Sequence, residues 1–162
     1  MVAKLVEMDK ARLAAWLVVD TWEYACEMVA SGLPPSVADE RAKQQMEKVF
    51  PGGHLAEGHH VYVVENDGEE VGSLWLGPHP DGKPDTIWVF KVKVESERRG
   101  QGNGRIAMLL AEEQARFLGA SELDLNVVGF NHVARSLYDS LGYETTSISM
   151  RKKIGRGSSR NS

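Results

Sequence analysis

A strand, a glycine turn, a helix and a second strand follow one another over residues 86–128, and that order limits the folds open to the chain. TIWVFKVKV (86–94) alternates its side chains and is rich in β-branched and aromatic residues, the pattern of a strand. ESERRGQGNG (95–104) puts glycine at 100, 102 and 104 behind Arg98 and Arg99. A helix over 102–118 is expected from Ile106, Leu110, Phe117 and from Ala107, Ala111, Ala115, Leu118 at helical spacing. SELDLNVV (121–128) reads as the next strand. Such a β-α-β unit closes as a right-handed crossover between parallel strands.

The remaining elements are read the same way. VAKLVEM is a short strand, and Asp9 stands where it caps a helix over about 10–31, with Leu13, Trp16, Leu17 and Met28 near one stripe. Ser36 with Asp39 three residues on predicts a capped second helix carrying Ala42, Met46 and Val49, ended by the glycines at 52 and 53. HHVYVVENDGEEVGSLWLG predicts a hairpin with strands over 59–65 and 70–77 about an Asp67-Gly68 turn. Residues 78–85 form a surface loop, 131–142 a helix closed by Gly142, and 143–154 a final strand. The order β, α, α, β-meander, α, β, α, β predicts a mixed α+β (α/β) sheet. Residues 1–154 are expected to form one domain, and the low-complexity 155–162 a disordered tail.

Composition excludes several classes. With 42% apolar and 26% charged residues the chain is an ordinary globular one, and no apolar run reaches the roughly 20 residues that span a bilayer. A net charge of −4 lacks the broad basic face of a nucleic-acid binder. The opening residues show no signal-peptide core, and the single cysteine, Cys26, permits no internal disulfide, so a cytoplasmic setting is expected. Cys26 lies among apolar helix residues and reads as a buried small hydrophobe. His59 and His60 are adjacent on a strand and point to opposite faces, so they do not share a metal ion, and no metal site is expected.

Three readings of RRGQGNG compete. One is a plain glycine-rich loop with solvated arginines. A P-loop requires Lys-Ser or Lys-Thr after the glycines, and a dinucleotide fingerprint requires G-x-G-x-x-G; the spacing here is G-x-G-x-G. The third is an anion cradle, in which glycines let successive N–H groups face a pyrophosphate at a helix N-terminus.

The stretch Arg99-x-x-Gly102-x-Gly104 after VKV resembles the acetyl-CoA pyrophosphate motif of the GNAT superfamily of N-acetyltransferases. The next block, LNVVGFNHVARSLYDSLGY, is similar to that family's following segment through Leu125, Val127, Asn131, Ala134, Leu137, Tyr138, Leu141, Gly142 and Tyr143. The resemblance covers 86–150 closely and 1–77 only in element order. It implies a central, mostly antiparallel sheet with a β-α-β-α-β C-terminal half and a splayed strand pair that admits the pantetheine arm. It also implies that the backbone of Val92 and Val94 binds pantetheine and the thioester carbonyl. Arg99 and the N–H groups of Gly100, Gln101, Gly102, Asn103 and Gly104 would hold the pyrophosphate.

Asn131 would reach pantetheine; on the residues alone it is equally an N-cap. Tyr138, two helical turns on, would protonate the departing thiolate; without the resemblance it reads as a core aromatic. No base stands out, because Trp88 and Phe90 occupy the strand positions where relatives carry one. Glu95 and Glu97 lie near the turn but read by default as solvated loop charges; Asp85, Glu65, Glu23, Glu27, His59 and His60 are further candidates, none of which stands out, and a water chain would serve as well. Trp22, Glu23, Tyr24 and Glu27 read either as an acceptor wall for a cationic amine or as an ordinary charged helix face. The implied function is acetyl transfer from acetyl-CoA to a primary amine, on a small molecule or peptide, by a monomer or homodimer. The alternative is an acyl-CoA-binding module without chemistry.

Overall fold

The computed structural model describes residues 2–157, which fall into two compact units, one ending at Asn126 and the other beginning at Val127. The first unit holds β1 (Ala3–Glu7), α1 (Lys10–Ala30), α2 (Pro35–Val49), β2 (His60–Asn66), β3 (Glu69–Pro78), β4 (Thr86–Val94), α3 (Asn103–Phe117) and β5 (Glu122–Leu125). Its strands form one sheet in sequence order, antiparallel from β1 to β4, with β5 parallel to β4 across the α3 crossover.

Alternation along the strands assigns the two faces. Ser73, Trp75, Lys91 and Lys93 face α1: Trp16 Nε1 donates to Ser73 Oγ at 3.3 Å, and Trp16 meets Trp75 edge-on at 5.8 Å. Phe50 joins both rings, and Leu13, Met46 and Val61 complete this core. On the other face Tyr62, Leu74 and Val92 lie in register, and Tyr62 accepts at its hydroxyl from Gln114 of α3 at 3.1 Å. The alanines at 107, 111 and 115, each one helical turn apart, are buried with Met108, so α3 lies close to the sheet. Gly72 serves a similar close approach, since a Cβ there would stand 2.0 Å from the Lys93 carbonyl oxygen.

Asp9 caps α1 as its position predicts, accepting from the Arg12 amide at 2.8 Å. The cap expected of Ser36 does not form: Pro34 is the N-cap, and Pro35, with φ already helical, starts α2 in its place. Asp39 turns instead to Lys43, 2.9 Å away on the next turn. Phe117, part of the apolar spacing that predicts α3, is exposed, and so is Cys26, expected inside. The wide apolar arc of α3 exceeds the sheet it covers, and Ala107, Met108, Ala111 and Ala115 take the buried side. Cys26 lies on the outer side of α1 among Val19, Trp22 and Val29, all exposed.

The second unit contains α4 (His132–Ser140), closed at Gly142, where φ is +90°. The strand expected over 143–154 is not formed. An isolated strand has no ladder to satisfy its backbone, and among the described residues this unit has no other strand to supply one. Ile148, Met150 and Ile154, which would have faced one side of it, are exposed. Of the expected disordered tail, 155–157 lie outside helix and strand, and 158–162 fall outside the described residues.

Candidate active site

The parallel pairing of β4 with β5 runs only from Thr86 with Glu122 to Val89 with Leu125, although β4 continues to Val94. Pairing with β3 also breaks at this point: Leu76 lies opposite Val89 and Trp75 opposite Lys91, so Phe90 is the extra residue of a β-bulge. Beyond the bulge β4 pairs with β3 on one side, and among the described residues no strand pairs with its other edge.

Hydrogen bonds identify which residues face that edge. The Glu95 amide donates to Val71 O at 2.9 Å, toward β3, whereas Val94 O accepts from Arg99 Nε at 3.1 Å on the opposite side. Since a strand residue sends its N–H and C=O the same way and its neighbours the other, Val92 and Val94 present their main-chain groups to the open edge.

The chain then enters the glycine turn. Gly100 and Gly102 have φ of +73° and +81°, the left-handed region, with open space where a Cβ would stand. Gly102 is the N-cap of α3 and offers no capping side chain, and no acidic residue occupies the helix's first turn. The first-turn N–H groups, which no carbonyl within the helix can reach, thus have no capping side chain and carry the positive end of the helix dipole behind them.

The turn is braced from below. Asn103, 4% exposed, donates from Nδ2 to Arg98 O at 2.9 Å and accepts at Oδ1 from Asn66 Nδ2 at 3.3 Å. Gln101 Nε2 donates to Glu97 O at 3.3 Å, and Arg98 pairs with Glu69 at 2.7 Å. Val92, Val94, Arg99, Gly100, Gln101, Gly102, Asn103 and Gly104 are therefore gathered along one strand end and one helix start. Within that set the side chains of Asn103 and Gln101 serve as struts.

The α1 face of the same strand carries a charge network. Lys91 Nζ lies 2.5 Å from Asp20 Oδ1 and 2.7 Å from Glu23 Oε2, and Lys93 Nζ lies 2.6 Å from Glu23 Oε1. Burial alone would lower the Lys91 pKa, but hydrogen bonds to Asp20 and Glu23 outweigh it and raise the pKa. Burial would raise that of Glu23, yet hydrogen bonds from Lys91 and Lys93 pull its carboxyl below the usual range. Glu23 is thereby a poor proton acceptor.

His59, whose pKa burial lowers, accepts at Nδ1 from Trp75 Nε1 at 3.1 Å, so its neutral form carries the proton on Nε2 and is no acceptor there. His60 stacks on Tyr62 on the other face, as alternation requires. Phe90 stacks on Trp75 at 4.6 Å, and Trp88 meets His79 edge-on. Sequence reasoning did not find the Asp20–Lys91 pair. The available signal was two lysines on one side of an otherwise apolar strand, with carboxylates three residues apart on a helix.

In the second unit Asn131 is an N-cap, its Oδ1 accepting from the Ala134 amide at 3.1 Å. Tyr138 is half-buried on α4, edge-on to Tyr143 at 5.7 Å, and burial pushes its phenol above the ordinary value.

Over residues 20–143, across both units, the chain matches the Acetyltransferase (GNAT) family. YdgE of Bacillus subtilis, an uncharacterized N-acetyltransferase, is 30% identical over 152 residues, spanning 93% of this chain and 97% of that one. The crystal structure of YycN from the same organism superposes with a TM-score of 0.84 at 28% identity, covering 96% of this chain and 100% of that one. The L-2,4-diaminobutyric acid acetyltransferase of Virgibacillus pantothenticus is 32% identical over 76 residues, 47% of each chain. A mixed sheet opened along its fourth strand, with these relatives, makes the chain an acetyltransferase by class. It belongs to the GNAT family.

Proposed function

We propose that this protein is an N-acetyltransferase that moves the acetyl group of acetyl-CoA to a primary amine by direct attack, with no covalent enzyme intermediate. The observation that carries this reading is the open edge of β4 running straight into the uncapped N-terminus of α3. An extended pantetheine arm fits beside a strand edge that pairs with no other strand, and a pyrophosphate fits a turn where Gly100 and Gly102 place no Cβ. Arg99 and the amides of residues 100–104 hold the anion. Val92 and Val94 hold the arm, and the fixed N–H of Val92 stabilises the negative charge that builds on the thioester oxygen.

Asn131, besides capping α4, reaches the pantetheine. Tyr138 donates its phenolic proton to the departing thiolate, a group it meets fully protonated at neutral pH. No base is assigned for the amine's proton. A relative named for L-2,4-diaminobutyric acid supports a small amine acceptor. Residues 1–154 act as one catalytic domain in a cytoplasmic setting; among the described residues no helix is long and apolar enough to cross a membrane.

Turnover of acetyl-CoA against a panel of small amines and amino-terminal peptides, read by thiol release, tests the proposal. At least one amine should accelerate release well above hydrolysis. Tight acetyl-CoA binding with no amine turned over would identify a binding module.

A further inference from the structure

The bulge that opens β4 is gripped from the α1 side by charge. Phe90, the extra residue, stacks flat on Trp75. Lys91, the next residue, reaches Asp20 at 2.5 Å and Glu23 at 2.7 Å. Asp20 is 4% exposed, deep in the helix–sheet interface. A buried ion pair is a weak source of stability, and apolar side chains of similar volume often serve a fold as well or better. An apolar contact names no particular atom as its partner, whereas the Lys91 ammonium has Asp20 and Glu23 within reach at this register. A one-residue slip of β4 would exchange its two edges and turn the Val92 and Val94 main-chain groups toward β3.

We propose that the buried Asp20–Lys91 pair is a positioning device: it holds β4 in its bulged register so that the Val92 and Val94 amides stay at the open edge. Asp20 acts through Lys91 and touches no reacting group. The link to catalysis rests on the acetyltransferase reading above; the link to strand register does not.

Two readouts separate these. Amide hydrogen exchange over residues 89–95 needs no substrate. In the wild type the Lys93 and Glu95 amides, directed to β3, should exchange slowly, and those of Val92 and Val94 fast. The double variant Asp20→Leu/Lys91→Met should fold, keep a melting temperature near that of the wild type, and lose this alternation. Its kcat should fall on the order of a hundredfold, the cost of a misplacement near 1 Å, with KM for the amine little changed. Asp20→Asn, nearly isosteric, should show both effects more weakly and serves alone if the double variant does not fold. A folded variant with the wild-type alternation and kcat would overturn the proposal and leave the pair structural. Loss of alternation in a protein whose wild type turns over no amine would sustain the register role while the acetyltransferase reading fails.

Discussion

Tyr138 differs from phenylalanine by one oxygen, and that oxygen separates a proton donor from a packed ring. Its edge contact with Tyr143 and its half-buried position would survive Tyr138→Phe. As the acid, it should cost about 10²–10⁴-fold in kcat when replaced, with acetyl-CoA binding intact. The pH profile gives an independent sign. The donor is the neutral phenol, and burial raises its pKa above the ordinary value of 10.0. Wild-type activity should therefore hold through neutral pH and fall only as pH rises through that raised pKa. Tyr138→Phe should lack this alkaline limb. An unchanged kcat with a lower melting temperature would show a core aromatic. From the sequence both roles were legible for Tyr138, as were cap and ligand for Asn131. The cap is now seen directly in the Asn131–Ala134 hydrogen bond.

At the level of elements, the β4–turn–α3 segment is where local pattern and structure agree best. The strand spans Thr86–Val94 as expected, although the bulge at Phe90 interrupts its alternation, and α3 begins one residue after the expected start. Both are set by short-range signals: β-branched alternation, then glycines that can take positive φ. The same geometry yields a prediction for Gly102→Val. At φ +81° a β-branched residue is strained, which costs about 1–2 kcal/mol of stability, although no atom lies within 4 Å of its Cβ. Acetyl-CoA affinity should fall much further, because the new side chain fills the space that the helix N-terminus faces. Titration calorimetry beside thermal melts measures the two losses separately, and ordinary affinity in a folded variant would mean that the glycines only make a turn. The expected strand over 143–154 shows the limit of local reading, since alternation supplies a face but only a neighbour supplies a ladder.

For the molecule as a whole, ligand linkage is the broadest check. A compound that binds only the native state stabilises it by about 2.7 kcal/mol at a hundred times its Kd. Acetyl-CoA should raise the melting temperature accordingly, and NAD or ATP should do much less, because the glycine spacing suits neither; a larger shift from NAD or ATP would exclude the proposed donor. The sequence by itself determined the strand–turn–helix–strand order and the mixed sheet. It also determined the Arg99–Gly104 motif with the family it points to, because all of these depend on residues close together in the chain. Only the tertiary structure decided that β4 loses its β5 partner after Val89, that Phe90 is bulged, and that Asn103 is a strut. It alone paired Asp20 with Lys91, 71 positions apart, and left Cys26 exposed. Those outcomes depend on which strand ends first and which helix face the sheet covers, and residues distant in the chain settle both.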